Sequence, residues 1–204
     1  FDVLRGLGGR GQLLVRASGP AAAAALRALP AVAAADPDAW VATAAVPNDP
    51  QYGRLWGLNN TGQTGGRADA DIDRPEAVAL AAPGGVVVVG VVDTGVDYTH
   101  PDLAANMWRN PGEVPGDGID NDANGFADDV FGWDFADHDA DPWDDHGHGT
   151  HVAGTVAAVE GNGVGVVGVA GNAARVMALR TLGPGGGTTS ASVAATNYAT
   201  MMRQ

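Results

Sequence analysis

The chain runs Val86-Val87-Val88-Val89-Gly90-Val91-Val92-Asp93 near its middle. A run that is apolar at consecutive positions is typical of a central strand in a parallel sheet that helices cover on both faces. The run ends in Asp93, and ligand chemistry in such sheets occurs at the carboxyl ends of the strands. A charge that terminates an apolar run requires a partner. The stretch therefore predicts a buried strand. On its own it favours Asp93 as the cap of a turn at Thr94-Gly95, and only the histidines farther along the chain favour a functional carboxylate.

The segments downstream of this strand indicate the fold class. A helix is predicted at about 149–159, where Gly149 and Gly154 permit close approach of a neighbouring segment. A second buried strand is predicted at 176–182, and another helix begins at residue 189. The order strand, helix, strand, helix predicts an α/β fold with a doubly wound parallel sheet.

Composition limits the partners of the chain. Its 204 residues include 24 acidic and 11 basic side chains, which give a net charge of −13. This balance argues against nucleic acid or an anionic membrane surface as a partner and favours cation binding. No cysteine is present, which excludes disulfides and thiolate metal sites. No apolar run reaches the ~18 residues of a membrane span. We expect the protein to be a monomer.

Three histidines fall within the stretch Asp144-Asp145-His146-Gly147-His148-Gly149-Thr150-His151. In one interpretation Asp93 orients His148, which acts as a general base for a hydroxyl nucleophile. In the other, His146, His148 and His151 bind zinc, because H-x-H-x-x-H is close to a metallo-hydrolase signature. The zinc signature lacks its aspartate here and leaves Asp93 without a role.

The segment 106–145 holds 12 of the 24 acidic residues. Within it Asp120, Asp122 and Asn124 alternate and precede Gly125, as at the start of an EF-hand calcium loop. The glutamate that closes such a loop is absent. The pattern is compatible with Ca²⁺ ligands at these three positions and also with a solvated acidic loop. A secreted, calcium-stabilised interaction module without catalytic activity is therefore a further functional alternative.

Two boxes of the chain resemble those of the subtilisin-like serine proteases (subtilases). Val91-Val92-Asp93-Thr94-Gly95-Val96-Asp97 resembles their Asp box. His148-Gly149-Thr150-His151-Val152-Ala153-Gly154-Thr155 resembles their His box almost letter for letter. His100-Pro101-Asp102-Leu103 follows the Asp box at the usual spacing of the family, and Asp71-Ile72-Asp73-Arg74-Pro75-Glu76-Ala77 resembles the helix before it. The resemblance extends from about residue 47 to the end.

The resemblance implies a subtilisin-type sheet and a serine endopeptidase with an Asp-His-Ser triad that acts on proteins or peptides. Asp93 would orient His148 as the general base, and Gly185, Gly186 and Gly187 would border the substrate cleft. No counterpart of the serine box is present. We therefore expect a fragment of a secreted protease, cut at both ends from a longer reading frame and inactive alone.

The resemblance also implies a structural calcium site. Its ligands would come from a turn near residue 49, from the segment after the Asp box and from the loop after the His helix. They would be Asp49, Asp102, Val159, Asn162, Val164 and Val166, with the three valines binding through their carbonyl oxygens. Hard oxygen donors from distant segments suit Ca²⁺.

The first 46 residues are predicted to form a small α+β unit of their own. Its elements would be a strand, a helix and two short strands, at 11–17, 21–29, 31–35 and 40–44. The resemblance implies that residues 1–46 are the C-terminal part of an inhibitory propeptide, which is then a partner of the enzyme. Residues 47–204 would be the N-terminal portion of the peptidase domain, with an acidic insertion at about 106–145.

Overall fold

The computed structural model describes residues 1–6, 11–19, 21–35, 46–80 and 84–203. The chain forms two compact units, Phe1–Ala42 and Thr43–Gln204.

In the first unit, strand β1 (Asp2–Gly6) pairs antiparallel with strand β2 (Leu13–Arg16), and helix α1 (Ala22–Arg27) follows. The second strand and the helix were predicted, whereas β1 was missed because every residue in it is exposed and gives no pattern. The strand predicted at 31–35 is wrong, since this segment forms a turn and a bend after Pro30. The strand predicted at 40–44 lies outside the described residues.

The second unit is built around a parallel sheet. Its elements are helix α2 (Arg74–Leu80), strand β3 (Val87–Asp93), strand β4 (Gly132–Asp134), helix α3 (His148–Ala157), strand β5 (Ala174–Arg180) and helix α4 (Thr189–Met201). Single 3-10 turns lie at Tyr52–Arg54, Ala104–Asn106 and Gly171–Ala173. The strand order is β3-β5-β4, and both pairings are parallel. The prediction of an α/β fold with a parallel sheet is therefore confirmed.

Strand β5 is the central strand of this sheet, and its side chains enter two separate cores. Val176 and Ala178 pack in the core that contains α3, whereas Met177 and Leu179 pack in the core that contains α4. Strand β3 lies at the edge, where Val87 is 62% exposed. The prediction that the valine run is the central strand is therefore wrong. An apolar run indicates a strand but does not specify its position in the sheet.

In the acidic segment, several carboxylates accept hydrogen bonds from backbone N–H groups of the same segment. Both oxygens of Asp128 accept backbone N–H groups, from Gly116 and Gly118, and Asp134 accepts those of Ala136 and Asp137. Strand β4 lies within this segment and was not predicted, because three residues are too few to show a period. These hydrogen bonds from the backbone to carboxylates hold the segment in a defined conformation, which its acidic composition does not indicate.

Glycine has different roles at the two positions singled out in α3. A Cβ at Gly149 would collide with the carbonyl oxygen of Gly95 and lie 3.1 Å from the Asp93 Cβ, so the predicted close approach is confirmed there. At Gly154 no atom lies within 4 Å of the Cβ position, and the same prediction is wrong.

Among the described residues, none of the helices has the length and apolarity to cross a bilayer.

Candidate active site

Asp93 and His148 meet at the carboxyl end of the sheet. Asp93 is the last residue of β3, and His148 is the first residue of α3. Asp93 Oδ1 lies 2.6 Å from His148 Nδ1 and also accepts the Thr94 N–H at 2.7 Å. The Asp93 side chain is 13% exposed and the imidazole 60%. With Nδ1 donating to the carboxylate, Nε2 carries the lone pair that can accept a proton.

The N-terminus of α3 is capped by residues outside the helix. Its N-cap residue is Gly147, at φ 94°, which has no side chain to offer. The Gly149 N–H instead donates to Thr94 Oγ1 at 2.9 Å, and the Thr150 N–H donates to Asp144 Oδ2 at 2.9 Å. These bonds satisfy donors that the first turn of any helix leaves free. They also attach the start of α3 to the loop that follows β3.

Asp144 is a site residue that the sequence did not single out. Burial acts to raise the pKa of Asp144, but hydrogen bonds from Thr150, Gly147 and Thr94 outweigh it and lower the pKa to about 2. The carboxylate is therefore ionised at neutral pH. The available signal was an aspartate four residues before His148, at a helix start with glycine as its N-cap.

The three histidines do not converge. The ring centroids of His146 and His148 lie 6.5 Å apart, and His151 is exposed within the first turn of α3. Within the described part of the chain, one group of His, Cys, Asp or Glu side chains has ligand atoms close enough for a metal ion, and it contains no histidine. The zinc interpretation therefore lacks a site.

The predicted substrate-binding glycines lie in the exposed turn between β5 and α4. Gly186 has φ 90°, and its N–H donates to the Gly183 carbonyl at 2.9 Å. A Cβ at Gly187 would collide with the carbonyl oxygen of Thr181, whereas Gly185 is free of contacts within 4 Å of its Cβ position. Thr181 also donates its N–H to the Asp93 carbonyl at 2.8 Å. The segment that leads into the turn is thus bonded to the residue that contacts His148.

A cavity of about 410 Å³ adjoins this turn. Its lining includes Gly186, Gly187, Phe135, His138, Thr188 and Ala191. Its walls therefore come from the acidic segment, the glycine turn and the start of α4.

The calcium set that the family resemblance implies is brought together around two buried carboxylates, Asp49 and Asp102. Asp102 is 2% exposed, and its carboxylate accepts the Asn162 side-chain amide at 2.8 Å and the Val166 N–H at 2.9 Å. The Asp102 carbonyl accepts the Val159 N–H, and Asn162 Oδ1 accepts the Val164 N–H.

Asp49, the remaining member of this set, is 4% exposed. Its Oδ2 accepts the Gly161 N–H at 2.8 Å, so it lies against the same loop. Among the described residues, its Oδ1 is buried and has no hydrogen-bond partner. A buried carboxylate oxygen without a partner, on the same loop that a second buried carboxylate contacts, is the environment that a cation would complete.

The calcium set predicted in the acidic segment, Asp120, Asp122 and Asn124, lies together beside Glu113. Asp120 and Asp122 lie with Glu113 so that their carboxylate oxygens are within 4.8 Å of one another, and this group could hold an ion. Glu113 was not predicted as a member. The Asn124 amide donates to Asp122 Oδ2 at 3.2 Å and to Asp129 Oδ2 at 2.8 Å, and its Oδ1 accepts the Phe126 N–H.

Comparison with solved structures identifies the class of protein. A protease of Pseudoalteromonas arctica is 34% identical with a TM-score of 0.51, and the match covers 74% of this chain and 43% of that one. The Aeromonas sobria serine protease, in its complex with a chaperone, is 26% identical with a TM-score of 0.54. That match covers 73% of this chain and 23% of the protease chain. The parallel sheet therefore matches proteases of subtilisin type.

The sequence profile of the subtilase family, Peptidase S8, matches residues 84–204. The chain belongs to this family. Subtilisin-like protease 1 of Plasmodium vivax is 40% identical over 131 residues, which is 64% of this chain and 19% of that protein. Neuroendocrine convertase 2 of Caenorhabditis elegans is 37% identical over 130 residues, 61% of this chain and 17% of that protein. The chain thus spans about a fifth of the length of these curated relatives.

Proposed function

We propose that this chain is the N-terminal portion of the catalytic domain of a serine endopeptidase. Asp93 orients His148 as the general base, and the nucleophilic serine lies outside residues 1–204. The single observation that carries the proposal is the 2.6 Å contact between Asp93 Oδ1 and His148 Nδ1. Ser190 and Ser192 bond to Thr188 at the start of α4, and among the described residues neither is hydrogen-bonded to His148.

The chemistry follows from the tautomer that this contact selects. With Nδ1–H held by Asp93, His148 Nε2 takes the proton from the serine hydroxyl as its oxygen attacks the peptide carbonyl. The adjacent Asp93 carboxylate stabilises the imidazolium that forms. His148 then gives the proton to the leaving amine, and water repeats the sequence on the acyl-enzyme. The high exposure of the imidazole is compatible with access of a peptide substrate.

Family membership implies peptide substrates, and the glycine turn supports a position for them. Gly185, Gly186 and Gly187 are exposed and lie in a turn that directly follows Thr181 and Leu182, whose N–H groups donate to the Asp93 carbonyl. Glycines there leave the backbone accessible for hydrogen bonds with an extended peptide. We assign the adjoining cavity to a substrate side chain.

The experiment is a labelling assay on the protein encoded by the complete reading frame. A fluorophosphonate probe reacts with a serine that a neighbouring base activates. We expect labelling of wild type and loss of at least ~100-fold in labelling rate for His148→Ala. His151→Ala is the matched control, because His151 lies on the same helix and should leave the rate within about twofold of wild type. Equal labelling of wild type and His148→Ala would refute the assignment.

We propose a structural Ca²⁺ in the site formed by Asp49, Asp102 and the loop 159–166. The donor set fits, because two buried carboxylates and the unpaired Asp49 Oδ1 offer hard oxygen ligands. The ion would neutralise the two buried charges and fix the loop after α3. The Glu113, Asp120 and Asp122 group is the second candidate for a cation.

We propose that residues 1–46 are the C-terminal part of an inhibitory propeptide of a secreted enzyme. The compact unit at Phe1–Ala42, with its hairpin and helix, is compatible with this role. The measurement is inhibition in trans: a peptide of residues 1–46 should inhibit the mature protease encoded by the complete reading frame. A scrambled peptide of the same composition is the control, and equal inhibition by both would reject the proposal.

A further inference from the structure

We propose that Asp144 is a positioning residue that holds His148 in register with Asp93. This inference rests on the proposed function of the Asp93–His148 pair and adds the group that aligns it. Asp144 is 7% exposed and lies four residues before His148. Neither its sequence context nor the chemistry of the pair assigns it a role, so the role must come from its contacts.

Five hydrogen bonds converge on the Asp144 carboxylate. Its donors are the N–H groups of His146, Gly147 and Thr150 and the hydroxyls of Thr94 and Thr150, at 2.6–3.0 Å. A carboxylate offers about four lone-pair positions, so both oxygens are saturated. Five donors and no competing acceptor require the ionised form. The pattern is therefore specific for an aspartate, because an amide would place a donor among donors.

These bonds close a ring through the catalytic pair. Thr94 follows Asp93 in the chain, and its hydroxyl donates to Asp144 Oδ1 at 2.8 Å. The same oxygen accepts the N–H of Gly147, which precedes His148. The contact between Asp93 and His148 is the remaining edge of this ring. Asp144 thus connects the residue after the carboxylate to the residue before the imidazole.

The Thr94 hydroxyl is the second connection across the ring. It accepts the Gly149 N–H at 2.9 Å while it donates to Asp144, so its proton is oriented only when Asp144 can accept it. Gly149 follows His148 directly. The backbone on both sides of the imidazole is therefore fixed by the same carboxylate, directly at Gly147 and through Thr94 at Gly149.

Positioning from the backbone is needed because side-chain packing does not supply it. The imidazole is 60% exposed, so few neighbouring atoms restrain the ring. Gly147, with φ 94°, provides neither a capping side chain nor steric restraint. The placement of His148 Nδ1 at 2.6 Å from Asp93 therefore depends on where the first turn of α3 begins. Asp144 determines that position.

The test uses this chain and observes the proton between His148 Nδ1 and Asp93 by NMR. A proton held in a short N–H···O⁻ contact gives a low-field resonance. We expect this resonance in wild type and its loss in Asp144→Asn, in which one bonded oxygen becomes an NH₂ group. Asp141→Asn is the matched control, because this exposed aspartate accepts the Tyr98 hydroxyl and lies outside the ring. It should retain the resonance.

A purely structural cap would give a different result. Asp144→Asn would then lower the melting temperature but leave the low-field proton in place, and that outcome would overturn the inference. If Asp144→Asn does not fold, Thr94→Val and Thr94→Ser decide: valine should lose the resonance and serine, which keeps the hydroxyl, should retain it. Equal spectra for the two Thr94 variants would also overturn it. Absence of the resonance in folded wild type would instead reject the Asp93–His148 pair itself.

Discussion

Arg180 and Asp134 end neighbouring parallel strands and form an ion pair that is shielded from water. They are direct partners in the register of β5 and β4, and they are 5% and 1% exposed. Arg180 also donates to Asp137 Oδ2 at 2.6 Å, although the Asp137 side chain is 65% exposed. Hydrogen bonds to Asp137 and Asp134 raise the pKa of Arg180 against the effect of burial. The acidic segment therefore receives its counter-charge from the central strand.

The two carboxylates around Arg180 should differ strongly in their effect on stability. Asp134→Asn leaves the buried guanidinium without its fully buried partner, and we expect the free energy of unfolding to fall by roughly 3 kcal/mol. Asp137→Asn removes a solvent-screened partner of the same guanidinium and should cost less than about 1 kcal/mol. Urea denaturation of both variants measures the difference. Equal losses would contradict the assignment of Asp134 as the principal partner.

The stability that Asp144 contributes should depend on pH. Its folded pKa of about 2 lies below the ~3.9 of an unfolded aspartate, so the contribution is complete above about pH 4 and is lost as the pH falls toward 2. We expect Asp144→Asn to be less stable than wild type by about 2 kcal/mol at pH 6. This difference should shrink steadily between about pH 4 and pH 2. A difference that stays constant from pH 6 to pH 2 would contradict it.

The local sequence predicted the strands and helices that carry a long apolar pattern. It also predicted that Asp93 and His148, which lie at the ends of two of these elements, form a pair. Asp93 ends such a strand and His148 begins such a helix, so the contact between them could be anticipated. The central position of β5 could not, because sheet order depends on contacts between distant residues. Asp144 was missed for a similar reason. Its role arises from donors on two segments, the start of α3 at 146–150 and the loop after β3 at Thr94, and only the first is local in sequence.

The acidic segment shows a second limit of the sequence. Its carboxylates suggested ion binding or solvation, yet Asp129 is fully buried and accepts the Tyr198 hydroxyl of α4 at 2.6 Å. Burial raises the pKa of Asp129, while hydrogen bonds from Tyr198, Asn110 and Asn124 oppose that rise. Asn124, predicted as a calcium ligand, is one of these donors. The alternating pattern of Asp120, Asp122 and Asn124 does not distinguish a side chain that binds a cation from one that donates a hydrogen bond to a buried carboxylate.

Removal of calcium should destabilise the chain through the Asp49 site. An ion that binds only the folded state raises its stability by mass action, so addition of a chelator should lower the melting temperature by several degrees. Asp49→Asn should reduce this chelator effect, because it weakens a buried oxygen ligand. Asp120→Asn reports separately on the Glu113 group. A melting temperature that is unchanged by chelator in wild type would reject both cation sites.

Gly149 and Gly154, five residues apart in α3, should respond to alanine in opposite ways. Gly149→Ala places a methyl group against the Gly95 carbonyl oxygen and the Asp93 Cβ, so α3 must move away from the loop after β3. We expect a loss of about 2 kcal/mol in the free energy of unfolding and a change in the low-field proton of His148. Gly154→Ala meets no atom within 4 Å and should raise stability by about 0.5–1 kcal/mol, because alanine favours the helix interior. Urea denaturation separates the two cases, and a stabilising Gly149→Ala would show that the helix and the Asp93 loop are not in close contact.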